Sequence, residues 1–534
     1  VAARDVLADL PTRIVATRPW ARALVLFGLG ALTTLGLPPA DFWPIAFVTL
    51  PLLLWHLEAA PTRAAAFRTG WWFGFGYLAT GWYWISNALL VFSDAFWWMI
   101  PFALIGLPGA LAVYLGLAAL VARLIAGTGA DRRLARILAL TGALAAGDML
   151  RGVLLTGFPW NVFGYLWSGT ESLSQGASVI GVYGLGVAVL LSGLLPGFLP
   201  DPRARRIALP LAAAIPLAFL AFGAARLAGA PDFAAQQADT ALPGMRMVQP
   251  NIPQREKWPR RYLVRNFDLH LRASADGRPD WVSHVIWPET AAAFAIEDPA
   301  FESYRAAIAA RAVPPGGYLI TGAPRRPRDP PALHNSIVIL DETGTVRETY
   351  DKAHLVPFGE YVPLADILPI QKVTEGAVDF TPGVGPRTLA LPGLPPLGPL
   401  ICYEVIFPGA AVDPTDRPDW ILNATNDAWY GDSAGPYQHL QHARMRAVEE
   451  GLPLVRPAST GISIAFDAHG REIGRIGLSQ AGVLDFRLPP PIQETVFARA
   501  GNSIPVALAV FLLAAAGILA RHVGKRWVDD TTAP

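Results

Sequence analysis

The sequence predicts a multi-pass α-helical membrane bundle joined to an extramembrane α/β domain of layered sheets and helices. Three observations predict it. Apolar runs of spanning length fill the first 230 residues and recur near the C-terminus, although the average apolar content is only 52%. Residues 240–487 read instead like a water-soluble protein, with short β-rich runs alternating with helix-like ones. Basic residues cluster in alternate inter-span loops, as they do in multi-pass membrane chains.

A bilayer core takes about 20 apolar residues per helix. Candidate spans are 21–37, 42–57, 69–91, 96–126, 134–155, 177–199, 207–227 and 503–520. The run 97–126 is over-long and contains Pro101 and Pro108, which predicts an interfacial segment before the crossing. The expected organisation is a membrane domain of about seven helices over 1–230, a catalytic domain over 240–487, a C-terminal transmembrane helix over 500–522 and a tail over 523–534. The first apolar run follows a basic segment and lacks a small-residue cleavage site, so it is expected to remain as an anchor.

Arg13, Arg18 and Arg22 precede the first span, Arg63 and Arg68 follow the second, Arg132, Arg133 and Arg136 the fourth, and Arg203, Arg205 and Arg206 the sixth. Arg521, Lys525 and Arg526 close the chain. By the positive-inside rule these loops and both termini are cytoplasmic. Seven spans then deliver 240–487 to the opposite side, the periplasm of a Gram-negative cell, and the eighth brings the chain back. Overall charge is nearly balanced, with 43 basic and 42 acidic residues, and gives no reason to expect a nucleic-acid partner.

Glycines at 70, 74, 76, 181, 184 and 186 lie in apolar helices and read as close-packing positions rather than nucleotide loops. The aromatic cluster of Trp71, Trp72, Trp82, Tyr83, Trp84, Phe158 and Trp160 reads as an interfacial belt.

Strands are predicted over 245–248, 281–287, 318–321, 336–340, 397–402 and 420–424, a helix over 436–451, and a hairpin over 462–473 turning at Ala468, His469 and Gly470. Three strand ends or adjoining loops carry reactive chemistry: Trp287-Pro288-Glu289-Thr290, the run from Asp351-Lys352 to Gly359-Glu360, and Ile401-Cys402-Tyr403-Glu404. Cys402 is the single cysteine, which excludes an internal disulfide and every multi-cysteine metal site. A lone cysteine is commonly an inert buried side chain, but this one follows an apolar run and precedes a Tyr-Glu pair, as a thiol on a strand-to-helix elbow would. A thiol attacking a carbonyl needs a base for its proton and positive or N–H groups for the oxyanion. Glu289 can be the base, Lys352 the electrostatic stabiliser, and the Tyr403 backbone N–H a second oxyanion donor. A cysteine–histidine pair is the competing reading, with His354, His439 or His442 as base. His439 and His442 are also spaced like a metal pair, but no third ligand stands at metal spacing.

The Glu, Lys and Cys segments resemble the triad of the nitrilase, or carbon-nitrogen hydrolase, superfamily. With the membrane spans added, the chain resembles the apolipoprotein N-acyltransferase family. The likeness runs through Leu37-Pro38-Pro39, Trp43-Pro44, Thr156-Gly157-Phe158-Pro159-Trp160, Gln249-Pro250-Asn251-Ile252-Pro253-Gln254 with Lys257-Trp258, and His354 through Pro363. It continues in Asn426-Asp427-Ala428-Trp429-Tyr430-Gly431 and Thr460-Gly461-Ile462-Ser463. The resemblance implies a nitrilase-like α-β-β-α sandwich, with Glu289 as general base, Lys352 as oxyanion stabiliser and Cys402 as acylated nucleophile. It also implies supporting roles for Glu360, Tyr403 and Glu404, a role for Trp258 in substrate handling, and no metal or cofactor. Two departures bear on local packing: Arg456-Pro457-Ala458-Ser459 replaces an Arg-Ala-Thr-Asn type of sequence, and Asp148 replaces a membrane-buried Glu.

The implied reaction moves an acyl chain from a phospholipid to Cys402 and then to the α-amino group of a lipoprotein's diacylglyceryl-cysteine. The enzyme is expected to be a monomer in the bacterial inner membrane, among membrane lipids, with its catalytic domain in the periplasm. A membrane-tethered amidase or nitrilase using water as acceptor, and a receptor or transporter carrying an inert domain, are the alternatives; the spans hold few ionisable residues of the kind that mark transport paths. The apolar run at Ile367, Leu368 and Ile370, within the loop 364–381, suggests an arm that guides lipid.

Overall fold

The computed structural model describes residues 7–15, 18–363, 372–373 and 378–532. The chain divides into two compact units, one of Val1–Tyr83, Ile100–Ala228 and Arg499–Pro534 and one of Trp84–Met99 and Gly229–Ala498. Ile367, Leu368 and Ile370 lie outside the described residues.

The first unit is helical. Its long helices are Pro19–Thr33, Ala46–Glu58, Arg63–Gly81, Val113–Ala126, Arg133–Arg151, Ala177–Leu194, Arg205–Ala228 and Ser503–Thr532. Among the described residues, five helical stretches are long and apolar enough to cross a membrane: Pro19–Gly36, Ser93–Ala126, Ala177–Phe198, Arg205–Ala238 and Ser503–His522. The apolar helix Trp43–Glu58 is shorter. The predicted spans 69–91 and 134–155 overlap the 19-residue helices Arg63–Gly81 and Arg133–Arg151, which are not among the five and which each begin on an arginine and carry further charged residues.

Small residues set the helix spacing, as expected for membrane packing. A Cβ on Gly70 would stand 2.2 Å from the Leu115 carbonyl oxygen and one on Gly76 2.0 Å from that of Phe27. Gly181 works differently: its φ of 65° breaks the helix Ala177–Leu194 rather than packing it. The interfacial-belt reading of the aromatics is corrected for Trp82, Trp84 and Trp160, which are buried. Trp82 packs edge-on to Phe158, with the Arg151 guanidinium over its ring. Asp148, the second departure, pairs with Arg151 at 3.0 Å and accepts from the Phe163 N–H at 2.9 Å, so it fastens the turn after its own helix.

The second unit contains two six-stranded sheets. The first runs in the order β12-β1-β2-β3-β4-β5 and the second in the order β11-β10-β9-β8-β7-β6. The strands are β1 Gly244–Gln249, β2 His284–Ile286, β3 Tyr318–Arg325, β4 His334–Asp341, β5 Val346–Asp351, β6 Leu389–Leu391, β7 Leu394–Ile401, β8 Trp420–Ala424, β9 Leu454–Arg456, β10 Ser463–Phe466, β11 Glu472–Ile476 and β12 Gly482–Arg487. Period-2 alternation sorts side chains between layers. Met245, Met247, Ile320 and Ile339 enter the core shared with Leu397, Ile401, Trp420 and Leu422 of the other sheet. Val248, Leu319, Val338 and Leu340 face the opposite way, into a core with Phe267 and Leu271 of helix Arg260–Ala275 and Ile308 of helix Glu302–Arg311. Helix Ala434–Glu450 packs with the second sheet through β9. The result is an α-β-β-α sandwich. Strands β1, β2 and β3 run parallel, as do β7, β8 and β9, so the chain leaves β2 and β7 at ends of the kind where α/β folds build sites.

Candidate active site

Glu289 sits in the loop after β2, held tightly against β3. The Gly322 N–H donates to the Pro288 carbonyl, and a Cβ at Gly322 would lie 2.3 Å from the Thr290 nitrogen, so only glycine admits this approach. The carboxylate is buried. Its Oε1 accepts from Asn335 Nδ2 at 2.7 Å, while Oε2 has no hydrogen-bond partner among the described residues. Burial raises the Glu289 pKa above the usual carboxylate range, and Lys352 partly opposes the rise.

Lys352 follows β5 directly and its Nζ lies 2.8 Å from Glu360 Oε2. Burial works against its charge, but Glu360 and Glu289 outweigh burial and hold the ammonium protonated well above the ordinary lysine range. Asn335 Nδ2 donates to Glu360 Oε1 at 2.9 Å as well as to Glu289, and so holds the two carboxylates side by side.

Cys402 is the first residue after β7 and opens the 3-10 helix Cys402–Ile406. Its φ of 50° is left-handed, a strain of about 1–3 kcal/mol for a residue with a Cβ. Glu404 holds the elbow in place. One of its oxygens accepts from the Ile401 N–H at 2.7 Å; the other accepts from Tyr350 Oη and the N–H groups of Ala353 and His354 at 2.8–3.0 Å. A single buried carboxylate thereby ties the cysteine elbow to the loop that carries Lys352. The Cys402 thiol is pushed up to about 12, first by burial and then by the charge of Glu289, with Lys352 opposing. The resting sulfur is therefore a thiol, electrostatically coupled to both Glu289 and Lys352.

The remaining predicted residues are placed as follows. Tyr403 is buried, its ring edge-on to Phe407. Trp258 is half-buried at the end of the short helix Gln254–Lys257. The ring of His354 stacks on Phe407 with centroids 4.0 Å apart, and His439 Nε2 faces the backbone carbonyl of Cys402 at 3.2 Å. Among the described residues no group of three or more His, Cys, Asp or Glu could hold a metal ion.

Two comparisons cover most of the chain. A model described as the apolipoprotein N-acyltransferase N-terminal domain matches residues 29–195, and one described as carbon-nitrogen hydrolase matches residues 247–494. The apolipoprotein N-acyltransferase of Rhodopseudomonas palustris is 40% identical, covering 96% of this chain and 97% of its own. The chain belongs to the apolipoprotein N-acyltransferase family. The enzymes of that name from Bradyrhizobium diazoefficiens and Brucella melitensis are 40% and 38% identical, covering 97% and 96% of this chain and 99% and 98% of their own. Among solved structures, an amidase from Nesterenkonia sp. AN1 matches 46% of this chain and 93% of its own at 20% identity and a TM-score of 0.34.

Within this apolipoprotein N-acyltransferase fold, several residues that sequence reasoning passed over stand at the site. Lys257 is buried and donates to the Glu289 backbone carbonyl at 2.8 Å. Burial lowers its pKa to about 8, with Glu289 and Cys402 opposing. Asn335 is one of three polar residues opening β4, a polar start to an apolar strand that could have marked it. The group Asn423, Asp427, His439 and Arg456 is drawn from four separate elements or loops, and no local signal joins them.

Proposed function

We propose that this chain is a membrane acyltransferase in which Cys402 takes an acyl chain from a phospholipid and passes it to the α-amino group of a lipoprotein's N-terminal diacylglyceryl-cysteine. The observation that carries this reading is the unpartnered Glu289 Oε2, an acceptor coupled to both the Cys402 thiol and the Lys352 ammonium. Burial raises the pKa of Glu289 and makes Oε2 a stronger proton acceptor than an exposed carboxylate, so proton transfer from Sγ to Oε2 can accompany attack.

In the first half-reaction Glu289 accepts the thiol proton as sulfur bonds to the ester carbonyl carbon. The oxyanion is stabilised by Lys352, with the Tyr403 N–H as a second donor. Collapse breaks the ester C–O bond, and the lysophospholipid leaves with the proton held by Glu289. In the second half the lipoprotein amine attacks the thioester, Glu289 removes its proton, and Cys402 departs to recover the thiol. A thioester suits both halves, since it forms from an ester and remains reactive towards an amine. Placement at a membrane follows from the substrates, whose acyl chains cost about 0.8 kcal/mol per methylene to draw into water.

The loop arginines support cytoplasmic termini and a periplasmic catalytic domain in the inner membrane. The enzyme acts as a monomer. The deciding experiment supplies purified protein in lipid with a labelled phospholipid and a diacylglyceryl-cysteine peptide. Label on the peptide amine supports the acyltransferase; label released only as free fatty acid would make it a hydrolase.

A further inference from the structure

Behind the cysteine elbow lies a set of buried polar groups to which the proposed reaction assigns no role. The carbonyl oxygen of Cys402 faces two donors, Asn423 Nδ2 at 3.3 Å and His439 Nε2 at 3.2 Å. A carbonyl only accepts, so the Nε2 of His439 carries a proton. On its other side His439 Nδ1 lies 3.1 Å from Arg456 Nη2 and 2.8 Å from Asp427 Oδ1. Arg456 closes the ring by donating from Nη1 to Asn423 Oδ1 at 2.7 Å and from Nη2 to Asp427 Oδ2 at 2.6 Å. The side chains of Asp427, His439 and Arg456 are wholly shut off from solvent.

Burying a carboxylate and a guanidinium together is expensive and is often no better than an apolar core, so the arrangement calls for a purpose besides stability. The Cys402 carbonyl supplies one. Its residue stands at a φ of 50°, a conformation that persists only where the surroundings over-determine it. Two donors from β8 and from helix Ala434–Glu450, both locked by one arginine, fix the peptide plane after Cys402 and so restrict the directions open to its Cα–Cβ bond.

We propose that His439, held by Asp427 and Arg456 and assisted by Asn423, is a positioning residue that aims the Cys402 thiol at Glu289. This rests on the reading of Cys402 as the nucleophile. His439 does not act as the base, because its ring addresses the backbone carbonyl of Cys402.

The two amide variants of His439 separate positioning from bulk packing. The glutamine amide nitrogen reaches about as far as imidazole Nε2 and can still donate to the Cys402 carbonyl, whereas asparagine stops near the Nδ1 position. Both are polar and both can face Asp427. In membranes containing the full-length protein, H439N is expected to slow thioester formation from labelled phospholipid by at least about tenfold, or 1.4 kcal/mol of barrier, with KM unchanged. H439Q is expected to recover most of the rate. The same order is expected for iodoacetamide alkylation of Cys402, which requires no acyl donor. Wild-type rates in H439N, or equal slowing in both variants, would overturn the proposal. If H439N does not accumulate, R456K reports from the other end, since lysine keeps the charge but cannot hold Asn423 and Asp427 together; a wild-type rate there overturns it too. A wild-type protein that alkylates but takes no acyl chain would sink the acyltransferase reading, and the order of alkylation rates would still decide this one.

Discussion

Lys352 and Glu360 form a buried ion pair, Nζ to Oε2 at 2.8 Å, and in the proposed mechanism this pairing leaves Glu289 free to work as a base. Each lysine proton given to Glu360 is one not given to Glu289. Glu360→Gln removes that anchor and also a negative charge that raises the Glu289 pKa. The ammonium should turn to Glu289, and the carboxylate should become a weaker base. Single-turnover acylation is expected to fall by about 100-fold, within the range for losing a general base, and its acid limb to move to lower pH. An unchanged rate would mean that Glu360 does not hold Lys352 for catalysis.

The pH dependence of acylation follows from three groups. Glu289 must be unprotonated, and burial raises its pKa, so the rate should fall with decreasing pH at a point above the ordinary glutamate value. Lys352, held protonated by two carboxylates, should not titrate in the working range. Lys257, lowered to about 8, loses its charge near that pH and with it an attraction for the developing thiolate. An alkaline limb near pH 8 is expected in the wild type and should be missing from Lys257→Met, whose rate at neutral pH is already reduced. A Lys257→Met profile that keeps the limb would assign it to another group.

Glu404 accepts four hydrogen bonds and donates none. Glu404→Gln turns one oxygen into an amide nitrogen that faces donors, leaving at least one buried N–H without an acceptor. The cost is about 1–3 kcal/mol, and the elbow loses its tie to the Lys352 loop. Lower thermal stability together with slower acylation is expected. Loss of stability alone would separate Glu404 from the chemistry.

How much of this the sequence carried depended on how local each signal was. The runs that became β1, β3, β4, β7 and β8 announced themselves as short apolar runs, and the turn at Ala468–Gly470 by its glycine. Strands β5, β6, β9 and β12 were passed over. β6 and β9 are three residues long, while β5 and β12 are sheet edges that mix charged and apolar residues, and β12 pairs with β1 from over 230 residues away. The span predicted over 69–91 failed for the same reason. Its helix ends at Gly81, and residues 85–91 form a separate helix whose Asn87 donates to the Tyr430 carbonyl, a partner that hydropathy cannot see. Glu289, Lys352 and Cys402 stood out because each is a reactive residue at a strand end or in the loop beyond one, and Glu360 entered through the family resemblance. His439 was weighed as a base or metal ligand, and its place with Arg456 behind the elbow was not legible, because it depends on what the two side chains touch.

Orientation is open to a direct check. The arginine pattern predicts that Cys402 lies outside the cytoplasm, so a membrane-impermeant thiol reagent should label it in cells whose outer membrane alone is permeabilised. Labelling should be slow, because the thiol is buried and pushed up to about 12. Reaction only after the cytoplasmic membrane is opened would reverse the topology.

A covalent acyl group on Cys402 is tested most directly by mass spectrometry of the protein after incubation with acyl-labelled phospholipid. The expected result is one acyl chain on the peptide containing Cys402, cleaved by hydroxylamine as a thioester, absent from Cys402→Ala, and discharged when a diacylglyceryl-cysteine peptide is added. An acyl group on any other residue, or acyl transfer by Cys402→Ala at the wild-type rate, would contradict the account.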